Sequence, residues 1–128
     1  MANFFLDTAV IVDLLRSYPP AVQWKNAQGQ AIFGISPTVW MEIVDGALTK
    51  IAQQRAIKLL QQFEMVYFTQ ADLDWAMRQQ LAYRLSHNAG INDCLIAAVP
   101  HRLQLPLYTH NLKHFAPLLG TLAQKPYT

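Results

Sequence analysis

The chain has 128 residues, of which 52% are hydrophobic and 14% charged, with a formal net charge of +2. That length excludes a second sizeable core, and an excess of two positive charges is too mild to assign a nucleic-acid or membrane partner. A charged fraction well below the roughly 25% usual for soluble proteins leaves few acids, so each is informative. In chain order, the consecutive apolar side chains Asn3 to Leu6 read as a strand covered on both faces, ended by Asp7. Thr8 can cap a helix carrying Val10, Ile11, Leu14 and Leu15. Ser17 to Gln30 reads as a loop or short helix, and Ala31 to Ile35 as a second strand. Ser36-Pro37 is a strong helix start, with Ser as N-cap and Pro at the first helical position, and the helix should reach about Leu48. Ile51 to Phe63 repeats apolar residues on one helical face. Met65 to Phe68 reads as a third strand. Leu73, Ala76, Met77, Leu81 and Leu85 mark a long helix ending near His87 to Gly90. The next helix opens at Asn92-Asp93, and Pro100 predicts a kink or an early end. Leu105 to Tyr108 is a fourth strand, and a weak fifth is expected around Leu118 to Leu122.

Short apolar strands alternating with helices specify an α/β fold with a mainly parallel sheet of four to five strands, residues 1–128 forming one domain. The single cysteine, Cys94, sits in an apolar run, reads as a buried small hydrophobe and suits a reducing compartment. The amino-terminal stretch lacks a basic flank and is interrupted by Asp7 and Asp13. Neither a signal peptide nor a membrane span is expected, and a soluble cytoplasmic location follows.

There are eight acids: Asp7, Asp13, Glu42, Asp45, Glu64, Asp72, Asp74 and Asp93. In open α/β sheets, sites form beyond the carboxyl ends of the strands. Asp7 stands at such an end, Glu42 lies early in the helix leaving the second strand, and Asp93 begins the helix that feeds the fourth. Thr109-His110-Asn111 leaves that fourth strand toward the same edge. Crowded carboxylates repel one another unless they retain protons or meet a cation. Oxygen donors without zinc-type Cys and His spacing select Mg²⁺ or Mn²⁺. Such an ion lowers the pKa of a bound water and offsets charge on a scissile phosphate.

The chain resembles the PIN-domain family, in particular VapC-type toxins. The resemblance rests on Phe-Leu-Asp-Thr-Ala-Val-Ile-Val-Asp-Leu-Leu-Arg at 5–16, Ser-Pro-Thr-Val-Trp-Met-Glu-Ile-Val-Asp-Gly-Ala at 36–47, Asn-Asp-Cys-Leu-Ile-Ala-Ala at 92–98 and Leu-Tyr-Thr-His-Asn-Leu-Lys-His-Phe at 107–115. It implies a three-layer α/β/α sandwich and a metal-dependent endoribonuclease, often dimeric and restrained by an antitoxin. It carries the family's acidic quartet to Asp7, Glu42, Asp93 and Asn111. Three departures stand out: Ala9 replaces a polar neighbour of the first acid, Asn111 is neutral where relatives often have Asp, and Pro100 interrupts a helix.

Each candidate also has a bland reading. Asp7 can be a strand end facing a helix N-terminus, Glu42 a surface position, Asp93 a cap and Asn111 or Thr109 a turn residue. Asp13 and Asp45 read as solvated helix positions, and Asp72 and Asp74 as first-turn residues. Arg16 and Lys113 are the candidates for backbone-phosphate contacts. His110 and His114 read first as ordinary loop residues, and Trp24, Trp40 and Trp75 as core or interface. The competing function is a catalytically silent PIN-like module that binds RNA or protein, to which Ala9 and Asn111 point.

Overall fold

The computed structural model describes residues 1–128. Its elements are β1 (Phe4–Leu6), α1 (Thr8–Leu15), α2 (Pro19–Ala27), β2 (Phe33–Ile35), α3 (Pro37–Asp45), α4 (Lys50–Leu60), β3 (Glu64–Met65), α5 (Gln70–His87), α6 (Ile91–Leu103), β4 (Leu107–Tyr108), α7 (Leu112–Leu119) and β5 (Ala123–Gln124). The strands form one sheet in the order β3-β2-β1-β4-β5, and every pairing is parallel. Every residue of β1 and β2 is buried, as a sheet covered by helices on both faces requires. The result is a three-layer α/β/α sandwich. No helix is long and apolar enough to cross a membrane.

The core runs along β1, β2 and β4 and the inner faces of α1, α3 and α6, through Phe5, Leu6, Val10, Ile11, Ile35, Val39, Val99 and Leu107. Phe4, Trp24, Phe33 and Tyr108 form an aromatic cluster, with Trp24 and Tyr108 rings edge-on at 4.9 Å. Trp40 and Trp75 also pack against the core. Gly34 is required where β2 passes β1, because a Cβ there would stand 2.7 Å from the Phe5 ring and 2.8 Å from Ala2.

The local signals that set the helix starts behave as the sequence specifies at α3, where the Ser36 hydroxyl accepts from the Val39 amide and Pro37 takes the first position. Elsewhere the structure departs from the reading. Thr8 does not cap α1; Asp7 is the N-cap, accepting from the Thr8 amide, and the Thr8 hydroxyl is turned elsewhere. The 17–30 segment contains a full helix, α2, which tolerates Pro19-Pro20 because its first turn has no intrahelical use for their missing N–H groups. Helix α3 stops at Asp45 rather than Leu48, with Gly46 as C-cap and Leu48 left exposed. Strand β3 is Glu64–Met65, shorter and earlier than expected.

Pro100 neither ends nor shortens α6, which continues a turn beyond it to Leu103. Pro100 is itself fully buried, so its ring packs in the interior at the point where it removes a backbone bond. The weak fifth strand expected at Leu118 to Leu122 is the end of α7 and a 3-10 turn, Gly120–Leu122, and β5 follows at Ala123–Gln124. Asp72 does lie in the first turn of α5, where it accepts from the Thr69 amide while the Thr69 hydroxyl accepts from its own. It is also buried, and it takes the Arg102 guanidinium at 2.9 Å, which ties α5 to α6.

Candidate functional site: a carboxylate cluster at the β1–β4 switch

The chain builds the sheet outward from β1 to β2 and β3, then returns to β1's other side for β4 and β5. The strand order therefore reverses between β1 and β4, the switch point at which open α/β sheets form crevices. Asp7 and Thr109 are the first residues beyond the carboxyl ends of those two strands.

Asp7 is 8% exposed. The Thr109 hydroxyl donates to its Oδ2 at 2.7 Å and the Thr8 amide to its Oδ1 at 2.8 Å. Burial pushes the carboxyl's pKa up, the two hydrogen bonds pull it back, and the nearby charges of Glu42 and Asp93 raise it again. Glu42 and Asp93, 35 and 86 positions away in sequence (42 − 7 and 93 − 7), are thus near enough for their charges to bear on this carboxyl.

Glu42 projects from α3. The Thr8 hydroxyl donates to its Oε1 at 2.6 Å, and the Asn92 amide donates to its Oε2 at 3.2 Å. Thr8 thus bridges α1 to α3, which explains why it is not a cap. Asp93 occupies the third position of α6 and reaches back to the Gly90 amide at 3.4 Å. Because Gly90 has no side chain to cap the helix, this carboxylate is the group at its positive end. Asp93 Oδ2 also lies 3.1 Å from His114 Nδ1, and that nitrogen is 2.9 Å from the Asn111 side-chain amide. One nitrogen carries one hydrogen. When Nδ1–H donates to Asp93, Asn111 has to present its carbonyl oxygen there rather than its NH₂ group.

Thr109 is fully buried and joins the two halves of the cluster, donating to Asp7 while its oxygen accepts from the Asn111 amide at 2.9 Å. Asp7, Glu42, Asp93 and Asn111 therefore share one edge of the sheet, linked through Thr8, Asn92, Thr109 and His114. These four connecting residues complete the arrangement. The sequence leaves Thr109 open between orienting a carboxylate and a plain turn, and its hydrogen bond to Asp7 is the former; His114 reads there as an ordinary loop residue and Asn92 as a cap, and only their side-chain contacts across the fold distinguish them.

No three His, Cys, Asp or Glu side chains stand close enough to make a finished metal cage. Glu42 and Asp93 are each engaged by neighbours, and a cation would have to compete with those contacts. The donor set nevertheless fits a hard divalent ion: three carboxylates and an amide oxygen, without a thiolate among them. Cys94 is the nearest thiol in sequence, but it is buried, and burial together with Asp93 raises its pKa, which keeps it a thiol.

Of the other candidates, Arg16 is exposed and lines a cavity of about 370 Å³ shared with Glu42 and Arg55. Lys113 is exposed in the first turn of α7. Asp45 is exposed, as its helix position implies. Asp13 is only partly solvated: the Tyr127 hydroxyl donates to its Oδ2 at 2.5 Å and His110 Nε2 lies 3.2 Å away, which fastens α1 to the chain's last residues. Nothing in the sequence pattern marks that contact, since 114 positions separate Asp13 from Tyr127.

The PIN domain family model matches residues 4–116. Among solved structures, the chain is 26% identical to one in a toxin-antitoxin complex from Klebsiella pneumoniae, with a TM-score of 0.79 over 97% of this chain and 98% of that one. It is 21% identical to VapBC-1 from nontypeable Haemophilus influenzae, with a TM-score of 0.74 over 96% and 97% of the two chains. It is 23% identical to a chain of DNA-bound VapBC from Salmonella typhimurium, with a TM-score of 0.72 over 90% and 91%. The last two likenesses are ones of fold. A comparison with curated protein sequences returned no match.

Proposed function

Because the chain belongs to the PIN-domain family, we propose that it is a Mg²⁺- or Mn²⁺-dependent endoribonuclease, acting as the toxin of a toxin-antitoxin pair. The observation that carries the reading is the convergence of Asp7, Glu42 and Asp93 at the β1–β4 switch, where the buried Asp7 carboxyl feels the other two. Asp7, Glu42 and Asp93 would hold the ion, with Asn111 completing the oxygen set. When bound, the metal supplies Lewis acidity toward water and phosphate. The chain's own residues do the rest. Thr109 and the Thr8 amide fix both oxygens of Asp7, Thr8 and Asn92 orient Glu42, and His114 keeps a ring nitrogen at Asp93. Arg16 and Lys113 are the proposed phosphate contacts. Residues 1–128 act as one domain.

The toxin assignment draws on the Klebsiella pneumoniae toxin-antitoxin complex, and it makes a small antitoxin protein the cognate partner and the cytoplasm the site of action. A homodimer is part of the same reading. Met77, Leu81 and Leu85 follow one another at four-residue steps along α5 and are 61%, 87% and 99% exposed, an apolar stripe suited to packing against a second copy.

The test is cleavage of defined RNA by purified, antitoxin-free protein with Mn²⁺. Cleavage that disappears in Asp93→Asn and persists in Asp45→Asn, an exposed acid, supports the enzyme. The neutral Asn111 and the hydrogen bonds that already engage Glu42 and Asp93 favour one alternative, a silent PIN-like module that binds RNA or protein. Absence of any cleavage by the parent protein selects it.

A further inference from the structure

A cavity of about 450 Å³ opens beside the carboxylates, lined by Gln80 and Arg84 of α5 and by Gly90, Ile91, Asn92 and Asp93 at the start of α6. Its size falls within the roughly 300–1,000 Å³ of ligand sites. Its lining is unlike that of the larger cavity against α3 and α4, about 620 Å³, whose walls are mostly apolar and carry no charge. One wall here is Asp93, and Asn92 joins the cavity to the cluster by donating to Glu42. The opposite wall supplies a guanidinium and an amide, from residues 80 and 84, which lie four apart on one face of α5.

A polyanion approaching three carboxylates is repelled unless cations flank the point of contact. Arg84 is the cation that shares a cavity with Asp93. Its guanidinium donates to the Asn88 side-chain oxygen, which uses one part of a five-donor fork and leaves the others for a phosphate. The amide groups of Gln80 and Asn92 offer both donors and acceptors, the chemistry that reads a base edge in an unpaired strand.

Resting on the nuclease reading above, we propose that this cavity is the subsite for the nucleotide adjoining the scissile bond in single-stranded RNA, with Arg84 on its phosphate and Gln80 on its base. Arg84 is a binding residue, not a catalytic one, so its role is legible without cleavage. The experiment measures binding of a short fluorescent single-stranded RNA to metal-free full-length protein over a range of salt, alongside mapped cleavage with Mn²⁺.

Arg84→Met should weaken binding about tenfold and reduce the salt slope by about one ion, while KM rises more than kcat falls. Asn88→Gly removes the residue that Arg84 holds but keeps the left-handed backbone there, φ 54°, at which glycine is at ease. It should bind RNA as the parent does. Gln80→Ala should shift which nucleotide flanks the cut. If Asn88→Gly reproduces the Arg84→Met loss, Arg84 merely braces the turn and the subsite is overturned. If the parent cleaves RNA but Arg84→Met keeps its affinity, KM and salt slope, the subsite falls and the nuclease stands. If the parent binds RNA through Arg84 without cleaving it, the nuclease falls and takes the scissile-bond subsite with it, and what survives is single-stranded RNA binding at Arg84. Arg84-dependent binding of duplex DNA but not of single-stranded RNA also overturns the proposal.

Discussion

Asp7 and Asp72 are both aspartates pressed into the protein, 8% and 2% exposed, but they are received differently. Asp72 meets a guanidinium, with Arg102 Nε at 2.9 and 3.1 Å from its two oxygens, and completes a capping box at the start of α5. Asp7 meets a hydroxyl, one amide and the charges of two more acids. A buried charge paired with an opposite charge is a structural device. A buried carboxyl beside like charges costs stability, and the proposed function is what gives that cost a ligand to offset it.

The contrast breaks most visibly in activity. Asp7→Asn and Glu42→Gln should each lower Mn²⁺-dependent RNA cleavage by about 1,000-fold or more, several kcal/mol of lost stabilisation, whereas Asp72→Asn should leave kcat/KM per folded molecule at the parent value. Equal losses in all three would erase the distinction. In stability the order reverses. Arg102→Met strands Asp72 without its cation and should cost about 3 kcal/mol in urea unfolding, and a cost near zero would make the pair ornamental. Gly34→Ala, which forces a methyl against Phe5 and Ala2, should cost about 1–3 kcal/mol by the same measurement without changing the carboxylates.

The smallest effect concerns pH. The pKa of Asp7 is raised in the folded chain, so the fold prefers the protonated form. Its stabilising contribution is complete below the ordinary aspartate range, about pH 4, and is lost as pH rises through the raised value. In EDTA, the Tm of Asp7→Asn should equal or exceed that of the parent near neutral pH. The gap should close on acidification into that window, and Mn²⁺ should raise the Tm of the variant less than that of the parent. A variant much less stable than the parent at neutral pH would make Asp7 chiefly a cap.

Much of this was legible in the residues. The apolar run before Asp7, the Ser36-Pro37 start and the acid opening α6 are local signals, and each depends on backbone chemistry that neighbours do not change. Helix α7 was missed because it is short, opens at Asn111 without a side-chain cap and carries Pro117 inside. Its Leu112, Phe115, Leu118 and Leu119 do recur at helical spacing, but the stretch past Leu118 competes with a strand reading that only the sheet's outer edge resolves. The roles of Thr8, Asn92 and His114 were hidden for a different reason. A hydroxyl, an amide or an imidazole declares its purpose through its partner, and these partners lie 34, 50 and 21 positions away in sequence.

The Thr109 hydroxyl has one hydrogen, and it is spent on Asp7. Its backbone is pinned on the other side, where its amide donates to Gln124 of β5 at 2.9 Å, while the Asp7 amide donates to Tyr108 at 2.9 Å. Neighbouring residues of a strand point to opposite faces, so sliding β4 by a single step would turn this oxygen away from the acid and bring an aromatic ring round in its place. The alignment of β1, β4 and β5 is thereby written into one polar contact, and a misaligned chain would announce itself as a dead site before it looked unfolded.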